Sequence, residues 1–538
     1  MNKIRETFGE IIAIEYAKNW GFAPLNYVTK RYLEGLGVQV IYFHMNVLSY
    51  KPNIGIKLFI KKAINYLGIK NYQVTESFEE LNNIACPSPL KYFSWKIQGN
   101  IWSISNYILI NTGSKSVFEL EIEKVNVGDA IVASSVRKSV KFPSKLRFDK
   151  NLINALFEGY MNYQYGKFLV KQKRTKTVVP SHNVYHHSVR QRAVLNHEGN
   201  YLILGKFPFS ALVESKTFSP FYPSILPIHK FRELSCDESR LSEEYLDVRI
   251  SPKSSEVLPY MQVSAYSEND SMQMQNSSLE LKETEDSTKI QVCIFLHSFA
   301  DALFTFGSDS LNDIWHWVTF TIDHLLEISK IKDLNILVKP HPNVFYYQNF
   351  TTNVVEKDYF TYKHLENLYK TEPKVSFIDP NTSNIKLTQI KNFIGITHHG
   401  NVAPELAYLN QPVIASLHAP WKHCNQFLIT WKDQQAYKNI LSQIDNYIGF
   451  KPCRSSLLKF VYYYYVKPSL MSEKVLYSKK LFQIAFNRSP TNDAELHKMS
   501  SQLLEKLEND MKKYKEAEEY LETLITESLD YYVATKEQ

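Results

Sequence analysis

From residue 290 onward, short apolar runs alternate regularly with segments of helical periodicity. Apolar runs of strand length cover residues 290–296, 334–338, 375–379, 392–397 and 412–416. Helical spacing of apolar residues follows at 310–326, 362–370, 384–391 and 403–409, and Ser310 with Asp313 three residues later resembles a capping box. Short strands that alternate with helices predict a parallel sheet covered on both faces, which is a Rossmann-like α/β domain.

The N-terminal half carries the same kind of pattern less regularly. A helix at 26–37 ends at a glycine and leads into a strand at 38–43, and further strands are expected at 177–179 and 201–204. Residues 262–289 are polar and lack periodicity, which is typical of a linker or exposed loop. We therefore expect an N-terminal α/β domain at 1–261, this linker, a C-terminal Rossmann-like domain at 290–457 and a helical extension at 458–538 with an apolar stripe at 499–529.

Composition excludes several classes of protein. The 538 residues are 44% hydrophobic and 22% charged, which is typical of a soluble globular chain of more than one domain. The formal net charge of +7, from 62 basic and 55 acidic residues, is too weak a bias to indicate nucleic-acid binding. Five scattered cysteines, no signal-peptide pattern and no apolar run of about 20 residues predict a cytoplasmic protein with reduced thiols.

Polar side chains follow three of the C-terminal strands at the points where the strands end. In an open parallel sheet, ligands bind outside the carboxyl ends of the strands, so we expect these side chains to form one site. Cationic groups, a glycine and a helix start together predict a site for a nucleotide phosphate, with a glutamate accepting from ribose hydroxyls. The residues are His297 and Asp301, then Lys339 and His341, then His399, Gly400, Asn401 and Glu405.

Structural roles compete with this interpretation at single positions. For His297 alone, a loop histidine bonded to the backbone is the favoured role, and Asp301 stays open between the two roles. His398 is expected to support its neighbour, because adjacent side chains point in different directions. The two prolines that flank His341 have little structural purpose, and they favour a binding function there.

Three runs of sequence resemble a known group of enzymes. VCIFLHSFADALFTFG, ILVKPHPN and IGITHHGNVAPELAYLNQPVIAS are similar, in order and spacing, to bacterial capsule and surface-polysaccharide glycosyltransferases of the GT-B fold. The similarity covers roughly residues 290 to 420. In the N-terminal half, NVGDAI at 126–131 resembles the Gly-Asp motif of the family, and VVPSHNVYHHSVRQRAVL resembles its strand, loop and helix. The His-Pro pair is shared with sialyltransferases, Kdo transferases and glycerophosphotransferases that use cytidine nucleotides.

The resemblance implies two Rossmann-like domains that face a cleft. The C-terminal domain would bind a nucleotide-activated sugar and the N-terminal domain an acceptor, with no essential metal and no cofactor beyond the donor substrate. An inverting reaction would need a general base, for which Asp129, His297 and Asp301 are the candidates. The sequence departs from the family at Val413, where many GT-B enzymes carry the second glutamate of the ribose motif.

Basic and imidazole side chains at 171–192 suggest an acceptor side. His182 and Arg190 are the candidates there, although a solvated basic face is slightly favoured for the arginine. His182 and His186 have the spacing of metal ligands on a helix, but no carboxylate or cysteine lies nearby at ligand spacing. A metal site is therefore the less favoured hypothesis. The run KQKRTK at 171–176 fits peripheral contact with an anionic membrane.

The leading hypothesis is therefore a glycosyltransferase that moves a sugar from a nucleotide donor to a surface-polysaccharide, glycan or lipid-linked acceptor. A polyol-phosphate transferase using CDP-glycerol or a relative is the nearest alternative. A catalytically silent scaffold of polysaccharide assembly is the alternative from another class, and a sugar-nucleotide epimerase is less favoured.

Overall fold

The computed structural model describes residues 9–16, 30, 33–44, 85–138, 148–180, 184–203, 211–213, 232–252, 264–266, 289–301, 303–304, 309–311, 313–349, 353–380, 382–467 and 515. His182, nearly all of the apolar stripe at 499–529 and most of the segment 262–289 lie outside these residues.

The N-terminal domain is built on a five-stranded sheet. Its strands are β1 (Ile11–Tyr16), β2 (Gln39–His44), β3 (Thr177–Val179), β4 (Asn200–Ile203) and β5 (Ala211–Val213). Their order is β2-β1-β3-β4-β5, and every neighbouring pair is parallel except β4 with β5. The helices are α1 (Pro89–Asn111), α2 (Gly128–Lys138), α3 (Lys150–Lys171) and α4 (Tyr185–Asn196).

A close approach of α3 and α4 holds this domain together. A Cβ at Gly166 would lie 2.4 Å from the carbonyl oxygen of Arg190 and 2.9 Å from the Ala193 side chain. Only glycine lets the two helix backbones come this close. The contact fixes the position of α4, which carries residues of the candidate site.

The C-terminal domain is built on six parallel strands. They are β6 (Ile290–Phe295), β7 (Leu334–Lys339), β8 (Val375–Phe377), β9 (Phe393–Thr397), β10 (Val413–Ser416) and β11 (Ile429–Trp431). The order β8-β7-β6-β9-β10-β11 corresponds to 3-2-1-4-5-6, the order of a dinucleotide-binding Rossmann sheet. All residues of β9 and β10 are buried, as expected for strands covered on both faces. The predicted α/β fold class with two Rossmann-like domains is confirmed.

The helices from residue 232 onward are α5 (Cys236–Arg249), α6 (Ile314–Ile328), α7 (Asn353–Tyr369), α8 (Asn384–Thr388), α9 (Val402–Tyr408), α10 (Gln434–Ser442) and α11 (Arg454–Val461). Helices α6, α8 and α9 begin close to their predicted positions, whereas α7 begins at Asn353 and not at residue 362. Helices α5 and α10 were not predicted. The predicted cap at Ser310 is wrong, because Asp313 is itself the N-cap and accepts from the His316 N–H at 2.7 Å. Ser310 lies outside the helix with φ of +69°.

Residues on both sides of the predicted boundary at 261 contact the C-terminal domain. Tyr245 of α5 stacks on Tyr465, and Asp247 accepts from the Tyr408 hydroxyl at 2.7 Å. Tyr266 is buried and bonds to Glu405. The domain limits themselves stay a prediction.

The two domains are joined by a continuous apolar core. Ile131, Leu156 and Val189 of the N-terminal domain belong to the same buried cluster as Phe299 and Trp317. Phe118 also meets Phe304 edge to face, with ring centroids 5.7 Å apart. The carboxyl edge of the C-terminal sheet therefore faces helices of the N-terminal domain. None of the described helices combines the length and apolarity needed to cross a bilayer.

Candidate active site

The site begins at the point where the strand order of the C-terminal sheet reverses. From β6 the chain crosses to β7 on one side, whereas β9 lies on the other side of β6. A crevice opens outside the carboxyl ends of strands at such a switch point. His297 follows β6 and His399 follows β9, and their ring centroids are 4.2 Å apart. The sheet order thus brings together two imidazoles that are 102 positions apart in the sequence.

His399 is held by a chain of hydrogen bonds. Its Nδ1 lies 2.8 Å from Nδ1 of His398, and Nε2 of His398 lies 3.0 Å from the Asp309 carboxylate. Asp309 also accepts from the Trp431 indole N–H at 2.7 Å. Burial would raise the pKa of Asp309, but His398 and these donors hold it well below its usual value. Asp309 thus stays ionised and orients His398, which in turn orients His399.

His341 and Lys339 occupy different environments although they are two residues apart. Nδ1 of His341 accepts from the backbone N–H of Asn343 at 3.2 Å, which places the proton of the neutral ring on Nε2. Lys339 is buried at the end of β7, and its Nζ donates to the carbonyl oxygens of Pro380 (3.4 Å) and Thr382. Lys339 therefore connects β7 to the loop after β8. Its ammonium group, predicted to bind phosphate, donates to these two carbonyl oxygens in this structure.

The three site imidazoles lack charge at neutral pH. Loss of contact with water lowers the pKa of His297, of His341 (to about 3) and of His399. His297 further lowers the pKa of both His341 and His399, so it lies within electrostatic reach of each of these two rings. They offer N–H donors and lone pairs rather than the positive charge expected from the sequence.

Asp301 is the point where the two domains meet in this crevice. Its carboxylate accepts from the Arg137 guanidinium of α2 and from the Tyr185 hydroxyl of α4. The surrounding protein would raise the pKa of Asp301, but Arg137, Tyr185 and His297 together lower it. The side chain is 52% exposed, so a ligand in the cleft can reach it. Tyr185 has φ of +55°, a strained conformation that recurs at functional sites.

Asp358 of α7 anchors the loop that carries His297 and Asp301. Its carboxylate accepts from the Ser298 hydroxyl at 2.5 Å and from the Phe299 N–H at 2.9 Å. Burial raises the pKa of Asp358 to about 7. Next to it on α7, Lys357 donates to the carbonyl oxygen of Arg137 at 2.9 Å, which adds a further bond between the domains.

Asp358 makes folding stability depend on pH. Because its pKa is about 7 in the folded state and about 4 in the unfolded chain, the folded state binds more protons between these values. The free energy of unfolding is then expected to fall by roughly 1.4 kcal/mol per pH unit as the pH rises through this window, and to level off above it. Asp358→Asn removes this contribution. The free energy of unfolding of the variant, relative to that of the unmodified protein, should therefore rise from about pH 5 to pH 7. Urea unfolding across pH checks this, with Asp323→Asn at an exposed position of α6 as the control. Parallel curves for all three proteins would contradict the prediction.

Glu405 and Asn401 are engaged by the protein itself. Glu405 is buried, and its two oxygens accept from Arg249 of α5 and from the Tyr266 hydroxyl at 2.5 Å. Asn401 accepts from the Tyr465 hydroxyl at 2.8 Å. Arg249 lies close enough to His341 to lower its pKa. Glu405, expected to accept from ribose, therefore fixes a guanidinium beside the imidazoles.

Gly400 permits a tight turn between β9 and α9. A Cβ at this position would lie 2.7 Å from the hydroxyl oxygen of Thr397. The helix that follows has only seven residues, and Asn401 makes no side-chain cap at its start. Gly400 thus permits the close approach of the chain that carries His399. An anion site at the start of this short helix stays a prediction.

Two N-terminal candidates, Asp129 and Arg190, are engaged by side chains of their own domain. Asp129 is buried at the start of α2 and pairs bidentately with Arg192 at 2.6 and 2.7 Å. Arg190 is fully buried, 3.8 Å from Glu15 and stacked over Phe43 with 4.6 Å from its guanidinium carbon to the ring centroid. Neither side chain presents a free group to an acceptor.

Sequence reasoning did not single out Arg137, Tyr185, Asp309, Asp358 or Arg249. Arg137 and Tyr185 stand in or near the motifs of the N-terminal half, which is the only signal that pointed to them. In the part of the chain that the structure describes, no group of three or more His, Cys, Asp or Glu side chains could hold a metal ion.

Comparisons with known proteins gave structural neighbours only. No protein-family model and no curated protein matches the sequence. Among solved structures, the chain is similar to UDP-GlcNAc 2-epimerase of Methanocaldococcus jannaschii, with 12% identity, a TM-score of 0.28 and coverage of 82% of this chain and 93% of that one. It is also similar to HepE of Anabaena, with 10% identity, a TM-score of 0.24 and coverage of 93% of this chain and 99% of that one. A UDP-forming trehalose-phosphate synthase of Burkholderia vietnamiensis has 7% identity, a TM-score of 0.29 and coverage of 92% of this chain and 98% of that one. The assignment of two Rossmann-like sheets comes from the strand order of this chain.

Proposed function

We propose that the protein is a glycosyltransferase that moves a sugar from a nucleotide-activated donor to a glycan or lipid-linked acceptor. The observation that carries this is the convergence of His297, His341 and His399 at the switch point of the C-terminal sheet, opposite Arg137 and Tyr185 of the N-terminal domain. A nucleotide fits the switch point of such a sheet. A second substrate fits the facing domain, as transfer between two substrates requires.

The donor's departing phosphate needs hydrogen-bond donors, because it gains negative charge as the bond to the sugar breaks. The Nε2–H of His341 and the guanidinium of Arg137 are two groups of the cleft with this capacity. Preorganised donors of this kind are worth about 3–4 kcal/mol each in other enzymes. A phosphate that attracts Arg137 would also release Asp301 from its cation and make that carboxylate a better base.

Calorimetry with UDP-, GDP-, CDP- and CMP-linked donors tests the proposal. We expect one nucleotide class to bind, and His341→Ala to weaken that binding by about 10–100-fold, because a charge-assisted hydrogen bond is worth roughly 1.5–3 kcal/mol. His324→Ala on α6, whose ring bonds to Ser442 instead, is the matched control and should bind like the unmodified protein.

The outcomes separate the competing functions. Failure of every nucleotide to bind would favour a silent scaffold and contradict the proposal. If a donor binds, product analysis with an acceptor extract distinguishes a transferred sugar from a transferred polyol phosphate or an epimerised donor. Only the first product supports a glycosyltransferase.

A further inference from the structure

Helix α1 carries a row of large apolar side chains on its outer surface. The exposed fractions reach 84% at Leu90, 63% at Phe93 and 62% at Ile101. The exposed row consists of Leu90, Phe93, Ile97, Ile101, Ile104 and Ile108. The buried row of the same helix consists of Tyr92, Trp95, Gly99, Ser103, Asn106 and Ile110. The outer row is therefore purely hydrophobic, whereas the inner row, which packs on the domain, includes glycine, serine and asparagine.

The geometry of the outer row suits a flat surface. From Leu90 to Ile108 the row advances 18 residues in five steps, which equals five turns of a straight helix at 3.6 residues per turn. The row thus runs parallel to the helix axis for about 27 Å. A partner helix in a left-handed coiled coil would instead favour a repeat of 3.5 residues.

Charge around the row is positive. Within Pro89–Asn111 the charged residues are Lys91 and Lys96, and the helix has no acidic residue. Lys91 and Lys173 both lie over the Phe168 ring, at 5.8 and 5.7 Å from its centroid. The exposed basic run at 171–174 therefore lies beside the N-terminal end of α1.

We propose that α1 and the basic residues at 171–174 form a docking surface for an anionic lipid bilayer. Aliphatic and aromatic side chains along one side of a helix, with lysines and no acidic groups beside them, are the features of helices that lie in the membrane interface. The basic residues supply attraction to anionic headgroups. The proposal stands independently of the enzymatic function, since it rests on no residue of the cleft.

Co-sedimentation of the full chain with vesicles tests the proposal. We expect binding to vesicles of phosphatidylglycerol and phosphatidylcholine, weakening with added salt, and little binding to phosphatidylcholine alone. Ile97→Gln/Ile101→Gln/Ile104→Gln should lower the partition coefficient at least tenfold, because three exposed apolar side chains leave the interface. Lys171→Glu/Lys173→Glu should lower it about tenfold or more through charge alone.

Ile331→Gln/Leu368→Gln is the matched control, since these exposed apolar residues lie in the C-terminal domain. It should bind vesicles like the unmodified protein, and unchanged melting temperatures should show that all variants fold. Absence of vesicle binding by the unmodified chain, or full binding by the triple variant, would overturn the proposal. So would a dimer in solution that the triple variant dissociates, because the row would then pair two copies of the chain.

Discussion

Asp301→Asn is expected to lower the turnover number of the proposed sugar transfer by about 10²–10⁴-fold, the usual contribution of a general base. The amide has the size of the carboxylate and still accepts a hydrogen bond from Tyr185, but it cannot take a proton from an acceptor hydroxyl. The melting temperature should change little, because the side chain is half-exposed and such ion pairs contribute little to stability. Nucleotide binding should be kept or strengthened, because Arg137 no longer has to leave a charged partner to reach the phosphate.

The environment of Asp301 distinguishes it from the other candidate bases. Asp129 is enclosed with Arg192, so an acceptor hydroxyl has no access to it. His297 is neutral, and its ring packs against that of His399. It lies near Asp301 in the cleft, where we expect it to position the substrate. Asp301 alone among these three combines an ionised group, exposure to the cleft and contacts from both domains.

Steady-state rates across pH check the assignment. Tyr185→Phe removes a donor that holds the pKa of Asp301 down, so the acid limb of the rate profile should move to higher pH. Asp323→Asn, a carboxylate of α6 that bonds to Tyr369, is the matched control and should leave rate and profile unchanged. A turnover number for Asp301→Asn within twofold of that of the unmodified protein would contradict the role of Asp301 as general base.

The C-terminal sheet could be predicted because its strands are buried on both faces. Val292, Ile336 and Ile394 belong to short apolar runs that alternate with helical segments, which is typical of a covered parallel sheet, and these runs place His297 and His399 at strand ends. The order of the strands was not readable from the sequence. It is this order that sets the two imidazoles 4.2 Å apart.

Long-range pairing explains what sequence reasoning missed. Arg137 and Asp301 are 164 positions apart, and Arg249 and Glu405 are 156 positions apart. No local periodicity reports such a pair, because each partner stands in an ordinary helix or loop. The hydrogen bonds of Lys339 could not be predicted for the same reason, since the carbonyl groups that accept from it come from a loop about 40 positions further along the chain. Its role as a phosphate ligand stays a prediction.

Arg192→Ala is expected to destabilise the N-terminal domain by about 3–5 kcal/mol, the cost of leaving a buried partner charge unpaired. Asp129 and Arg192 are both enclosed, with two short hydrogen bonds between them, and Arg192 also donates to the carbonyl oxygen of Asn126 at 2.8 Å. Asp129→Ala should cost a similar amount. The double variant should lose less than the sum, because it leaves neither charge behind.

Urea unfolding measures these differences, and Arg240→Ala, which breaks an exposed pair with Glu244 on α5, serves as the control with little expected change. Asp129 is enclosed and away from any acceptor, so Asp129→Ala should lose activity only through the fraction of chain that unfolds. That activity should recover at low temperature, where the folded state is populated, whereas activity lost in Asp301→Asn should not. Equal loss at every temperature in a folded Asp129→Ala protein would instead place Asp129 in the chemistry.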